Sequence, residues 1–234
     1  MQNAMIRALD IGSSVLSTVV RLGAGLSARP CAKQPAKLLE LYEFEACPFC
    51  RKVREALTTF DLDATIYPCP KNGTRFRPKA IELGGKPSFP LLVDPNTGTH
   101  LYESLDIIRY LAKTYGAPST PLLLGPLSTM SGGFASAVRG SRGMRARGSK
   151  APAQPLELWS FEGSPFSRIV RERLCELEIP YVLHNVGKGS LKREAFIARS
   201  GKMQVPYLVD ANTGAAMFES AEIVRYLTAT YGAS

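Results

Sequence analysis

The chain has 234 residues, 45% of them hydrophobic, enough for two small domains with ordinary cores, and it holds no run of about 18 uncharged apolar residues, so no membrane span is expected. The net charge of +9 does not belong to the folded units: residues 38–118 and 156–234 are each neutral, while residues 1–37 contribute +4 and residues 119–155 contribute +5, a distribution that argues against a nucleic-acid-binding domain. Five cysteines, an odd number without disulfide-framework spacing, point to a reducing, cytoplasmic compartment.

Residues 1–37 form a leader in which Ile6, Leu9, Val15, Leu16, Val19 and Val20 stand among Ser and Gly, a weak amphipathic pattern. An acid-poor start of this kind also suits an organellar transit peptide. However, Ser13 to Arg21 (SSVLSTVVR) is echoed by residues 131–139 (SGGFASAVR), where nothing can be targeted. The leaders are therefore expected to pack on their own domain or across the pair, with membrane-surface binding the less favoured alternative. Across residues 38–118 the pattern predicts a strand at 38–44, a helix from Pro48 to Thr59 and a strand at 64–67. A helix near 76–83, strands at 90–93 and 100–102, and a helix from Ser104 to Thr114 follow. Asn96-Thr97-Gly98 supplies the turn between the last two strands. Residues 119–155 comprise the second leader and, over 140–155, a segment read as a flexible basic linker.

Residues 156–234 then repeat the first unit. Leu39-Glu40-Leu41-Tyr42-Glu43-Phe44-Glu45-Ala46-Cys47-Pro48-Phe49-Cys50-Arg51 is matched, at an offset of 117, by Leu156-Glu157-Leu158-Trp159-Ser160-Phe161-Glu162-Gly163-Ser164-Pro165-Phe166-Ser167-Arg168. The expected class is therefore α/β, in two tandem domains, each with a mixed four-stranded sheet and flanking helices. The second domain is expected to fold by itself.

Cys47 and Cys50 carry the chemistry. Cys47 stands where a strand gives way to a helix, and Pro48 suits the first helical position, which places Cys47 at the N-cap. There the free backbone N–H groups and the helix dipole favour a thiolate. Cys50, one turn on, is placed to attack a mixed disulfide on Cys47. Two other readings stay open. A structural zinc site needs four ligands, and Cys31, Cys69, Cys175, His100 and His184 offer no second paired spacing, so no metal is expected. A buried pair with only a packing role is the stronger rival, although Pro48 between the cysteines is what a redox site needs.

Cys47-Pro48-Phe49-Cys50 followed by Arg51 resembles the active site of a dithiol glutaredoxin. Lys86-Pro87-Ser88-Phe89-Pro90-Leu91-Leu92-Val93-Asp94 and Leu101-Tyr102-Glu103-Ser104-Leu105-Asp106 resemble the N-terminal, glutathione-binding domain of glutathione transferases. Both families share the thioredoxin fold, so the resemblance implies two tandem thioredoxin-like domains and glutathione as cosubstrate. It assigns Cys47 as nucleophile and Cys50 as resolving thiol, with glutathione held by Arg51, Lys86, Phe89, a cis Pro90, Glu103 and Ser104. Arg75 and Arg77 are weaker candidates for the glycyl carboxylate. An ordinary strand-entry proline at Pro90 and simple helix capping by Ser104 remain the plain alternatives.

In the second domain, Ser164 and Ser167 replace the sulfurs. Ser164, Val205, Pro206, Glu219 and Ser220 are either a second glutathione site without redox chemistry or a degenerate site kept for packing. Two departures from the families stand out. Glu43 and Glu45 occupy positions where a glutaredoxin carries a lysine, and their charge opposes a thiolate, offset in part by Arg51. The chain also lacks the helical C-terminal domain of transferases, which disfavours conjugation to bulky electrophiles. The expected function is a glutathione-linked thiol–disulfide oxidoreductase acting on disulfide or glutathionylated proteins, with homodimerisation left open. A non-catalytic glutathione-binding or scaffold protein, or a transferase-like activity, is the alternative.

Overall fold

The computed structural model describes residues 12–14, 25–118 and 142–233; the leader segments 5–11, 15–22 and 122–139 lie outside the described residues, as does the match of 13–21 to 131–139 except at Ser13 and Ser14. The first half runs β1 (Leu39–Glu43), α1 (Pro48–Phe60), β2 (Ala64–Pro68), α2 (Arg77–Gly84), β3 (Leu91–Asp94), β4 (Thr99–Leu101) and α3 (Ser104–Tyr115). The second half repeats that order with β5 (Leu156–Ser160), α4 (Pro165–Glu176), β6 (Tyr181–Asn185), α5 (Arg193–Ser200), β7 (Tyr207–Asp210), β8 (Ala215–Phe218) and α6 (Ser220–Tyr231). Each first-half element falls within a residue or so of its sequence expectation.

Local chemistry accounts for the boundaries. Pro48 opens α1, and Asp61 closes it in the left-handed region at φ 58°, its N–H bonding back to the carbonyls of Leu57 and Thr58. The β3–β4 turn places Gly98 at φ 73°, where a side chain would be strained. Asp94 anchors that turn from below: it accepts from Asn96 N at 2.8 Å and from the hydroxyls of Tyr110 at 2.8 Å and Tyr115 at 2.6 Å. Asp210, Asn212, Tyr226 and Tyr231 reproduce the arrangement.

The expectation of two separate four-stranded sheets is corrected. One eight-stranded sheet runs in the order β4-β3-β1-β2-β6-β5-β7-β8. Within each half the first two strands are parallel and the rest antiparallel. The halves join where β2 meets β6 antiparallel, Ala64 opposite Leu183, Thr65 opposite Val182 and Ile66 opposite Tyr181. Thr65 and Val182 are equivalent positions in the repeat, so a pseudo-two-fold axis passes between them and neither central strand is left with an open edge. One apolar cluster accordingly spans both halves, including Leu41, Leu57 and Ile66 with Leu158, Leu174 and Leu183.

The segments before each half are exchanged across this axis. Ala28 N bonds Lys188 O at 2.7 Å, Lys188 N bonds Leu26 O at 2.9 Å, and Gly163 N bonds Gly25 O at 2.9 Å, all on the second half. The chain then returns to the first half, where Arg29 N bonds Thr59 O and Cys31 N bonds Phe60 O. Residues 143–150 mirror this path: Lys71 N bonds Met144 O, Ala146 N bonds Lys71 O, and Lys150 N bonds Tyr231 O. The stretch read as a flexible linker is thus tied to both halves over 143–150, because its small residues let its backbone run close enough to pair. No described helix is long and apolar enough to cross a membrane.

Candidate functional site

Strand register brings the sequence candidates to one end of the sheet. Tyr42 lies opposite Leu91 and Leu92 opposite Leu101. Continuing those registers sets Phe44 against Phe89 and Pro90 against Glu103. The rings of Phe44 and Phe89 do meet, edge to face, with centroids 6.3 Å apart. The Phe89-Pro90 peptide is cis. Arg77 lies over the Phe89 ring at 4.7 Å and Lys86 over Tyr102 at 4.6 Å, so two cations border this end. Arg75 does not: it donates to the carbonyls of Leu177 and Glu178 across the interface.

Cys47 is the N-cap of α1, and its Sγ accepts from Cys50 N at 3.3 Å. A hydrogen bond from the Cys50 thiol lowers the Cys47 thiol. Burial opposes this, and the backbone N–H groups of Cys50 and Phe49 with the charge of Arg54 complete the lowering below the ordinary thiol value. Cys50 is fully buried, and burial pushes it well above that value, reinforced by Cys47 and Glu43. The pair is therefore asymmetric, an acidic N-terminal thiol beside a protonated partner. Cys47 is itself only 4% exposed, whereas the neighbouring Phe49 is 46% exposed. Cys31, Cys69 and Cys175 are buried thiols raised mainly by burial.

Glu103, rather than Ser104, sits at the N-cap of α3, and no side chain caps the helix there. Glu103 is held at φ 64°, ψ 114°, a region non-glycine residues rarely occupy and one that marks strain kept at a site. Ser104 is buried as the first helical residue. The second half repeats all of this. Val205-Pro206 is cis, Glu219 stands at φ 67°, and Ser220 opens α6. Ser164 caps α4, accepting from Ser167 N at 3.2 Å. Gln204 Nε2 donates to Glu219 Oε1 at 2.5 Å, which joins the cis-proline loop to the Glu-Ser turn. A pocket of about 670 Å³ opens beside Val205, lined by Phe161, Met203, Lys188 and Arg193 and walled by Leu26 of the exchanged leader.

Arg51 is buried in the interface between the halves, where its Nε lies 3.3 Å from Glu55 and 3.6 Å from Glu162. It belongs to a cluster that sequence reasoning missed. Arg54 Nε contacts Glu162 at 2.9 Å, its Nη2 contacts Glu45 at 3.1 Å, and its Nη1 pairs with Glu43. From α4, Arg171 contacts Glu45 at 3.2 Å and Glu162 at 2.8 Å. These side chains are all nearly inaccessible. Burial raises Glu43, only partly offset by Arg54. Burial would raise Glu162 as well, but Arg171, Arg54, Arg51 and Arg168 hold it below the usual carboxylate range. Of the two acids that oppose a thiolate, Glu45 is met by Arg54 and Arg171, one from each half, while Glu43 meets Arg54 and is pushed by burial toward its neutral form. The available signal was Arg51, Arg54 and Glu55 recurring as Arg168, Arg171 and Glu172.

Residues 41–119 and 158–234 each match the model of the glutathione S-transferase N-terminal domain. Among solved structures, similarity extends to a Bombyx mori glutathione transferase, 26% identical over 36% of this chain and 38% of that one, with a TM-score of 0.29. A trimeric glutathione transferase of Leishmania is 14% identical over 85% of this chain and 68% of that one, also with a TM-score of 0.29. The chain thus aligns with well under half of the Bombyx mori enzyme. A search of curated proteins gave no match.

Proposed function

The chain belongs to the glutathione S-transferase N-terminal domain family, and from that premise we propose that its first half is a glutathione-linked thiol–disulfide oxidoreductase. The observation that carries the reading is the geometry of the pair: Cys47 stands at the N-cap of α1 with its Sγ accepting from Cys50 N at 3.3 Å, and Cys50 is fully buried one turn on, an arrangement that lowers the first thiol and raises the second. The Cys47 thiolate attacks a glutathione mixed disulfide, forming a Cys47–glutathione disulfide and releasing the substrate thiolate, which takes up a proton. A second glutathione thiolate then attacks that disulfide, regenerating the Cys47 thiolate and leaving oxidised glutathione. With a protein disulfide, Cys50 instead loses its proton and attacks the Cys47 mixed disulfide, releasing the second substrate thiol. The resulting Cys47–Cys50 disulfide is reduced by two glutathione molecules.

Glutathione is recognised, on this reading, by the backbone of Phe89 before Pro90, by Glu103 and Ser104 at its γ-glutamyl end, and by Lys86 or Arg77 at its glycyl carboxylate. Arg51 is engaged with Glu55 and Glu162 in the interface, and on this reading the cation that acts on Cys47 is Arg54. Ser164, Val205, Pro206, Glu219 and Ser220 offer a second glutathione site that cannot exchange disulfides, and the pocket beside Val205 supports binding there. A non-catalytic binding protein is the second reading, favoured by the near-complete burial of Cys47.

The test is the pair of single substitutions. Cys47→Ser abolishes both activities, whereas Cys50→Ser keeps deglutathionylation and loses protein disulfide reduction. A wild-type protein inactive on both substrate types, yet binding glutathione by calorimetry, moves the conclusion to the second reading.

A further inference from the structure

The buried charge cluster lies under the candidate active site and is built from both halves. Its members from the first half are Glu43, Glu45, Arg51, Arg54 and Glu55, and from the second Glu162, Arg168 and Arg171, with Cys175 Sγ accepting from Glu45 N. Arg54 is the cation that acts on Cys47, and Glu43, Glu45 and Glu162 compete for its guanidinium. Two of those three competitors, Glu45 and Glu162, are also contacted by Arg171. Arg171 Nε lies 3.2 Å and Nη2 3.3 Å from Glu45. Without Arg171, Glu45 would draw on Arg54 alone, while Glu162 would keep Arg54 with Arg51 and Arg168, in a region that water cannot screen.

We propose that Arg171, contributed by the half that lacks active-site sulfur, is a positioning residue for the Cys47 reaction: by holding Glu45, two residues before Cys47, together with Glu162, it leaves more of the Arg54 charge uncompensated beside the thiolate. The inference rests on the oxidoreductase reading for its functional meaning, but not for its measurement. It gives the serine-bearing half a role beyond packing, because the nucleophile of one half takes part of its charge environment from the other. It also makes tolerable Glu45, two residues before Cys47.

The experiment is pH-dependent alkylation of Cys47 by iodoacetamide in the full chain, read on the Cys47 peptide by mass spectrometry. Arg171→Gln leaves one uncompensated negative charge and moves the midpoint up by about half a pH unit, about threefold less thiolate at any pH below both midpoints. Arg171→Lys, which keeps the charge, stays near wild type. Glu45→Gln moves the midpoint down, and Glu45→Gln with Arg171→Gln returns it toward wild type, a rescue that a purely architectural role would not produce. A folded Arg171→Gln protein with an unchanged midpoint overturns the proposal. If Arg171→Gln does not fold, Glu45→Gln decides, since Arg171 retains Glu162 in that variant, and an unchanged midpoint there overturns it equally. Turnover on a glutathione mixed disulfide is read separately. Acidity that follows this pattern without turnover removes the oxidoreductase reading and leaves the inference standing; turnover with acidity indifferent to Arg171 does the reverse.

Discussion

Replacing Arg54 by methionine keeps the length of the side chain and removes its charge, leaving Glu45 and Glu162 to the remaining arginines and Glu43 without its guanidinium partner. Arg54 reaches all three carboxylates in a region closed to water, and breaking a buried pair from one side costs about 3–5 kcal/mol. Since a typical domain is stable by about 5–15 kcal/mol, Arg54→Met should lie near the edge of folding at neutral pH. The deficit has a definite pH dependence. The Glu162 carboxyl is held down from 4.5 to about 2 against the effect of burial, worth about 3 kcal/mol. That contribution is present above pH 4.5 and lost as pH falls through about 2. Without Arg54 the folded value moves back up and this stabilisation shrinks. The difference between variant and wild type is therefore largest at pH 7 and narrows below about pH 4.5. Urea melts from pH 3 to 7, followed by the fluorescence of Trp159, the single tryptophan, measure it directly. A deficit below about 1 kcal/mol at pH 7, or one that is equal at every pH, refutes the assignment of Arg54 as the hub of the cluster.

Ser104→Ala should weaken glutathione binding by about 1–3 kcal/mol, the cost of leaving a charged group without its donor; unchanged affinity by calorimetry removes Ser104 from the site. Residues 151–234 expressed alone should not give a stable monomer, because the pairing edge of β6 and the arginines of α4 lose their partners; a sharp, concentration-independent melt of a monomeric fragment would contradict this. Trypsin should cut the native protein slowly after Arg145, since Met144 O and Ala146 N are both bonded to Lys71; rapid cleavage there before global unfolding would show that the strap opens.

The elements were legible because each carries its own local signal: Pro48 at a helix start, alternating apolar residues through β1, and Asn96-Thr97-Gly98 at a turn. The repeat made the second half readable from the first, and Pro90 and Glu103 were found through family resemblance rather than periodicity. What the sequence hid was the union of the halves. A helix whose apolar face holds Val53, Ala56, Leu57 and Phe60 ordinarily turns its charged face to water, so nothing local marks Arg51, Arg54 and Glu55 as buried. They are buried because the loops before α1 and α4 bring Glu45 and Glu162 against the guanidinium groups. That pairing is a long-range fact with no local signature beyond the recurrence of the charges themselves. Likewise residues 143–150 have linker composition, and only the exchange across the axis shows that their backbone is paired.

This interface also explains why the loss of sulfur in the second half is compatible with keeping the rest of it. Ser164 still caps α4 as Cys47 caps α1, with nearly the same backbone angles, φ −74° and ψ 116° against φ −75° and ψ 122°. The exchange of sulfur for oxygen therefore leaves the helix start in place, and with it the register of Arg168 and Arg171 along α4. Ser160, by contrast, stands where the first half has Glu43, and its buried hydroxyl has no hydrogen-bond partner among the described residues. One side of the pseudo-symmetric cluster thus carries an extra carboxylate, on the side that also carries the cysteines. The extra acid and the cysteines coincide on one side, and a glutamate at 160 would add a further buried acid to compete for the same arginines.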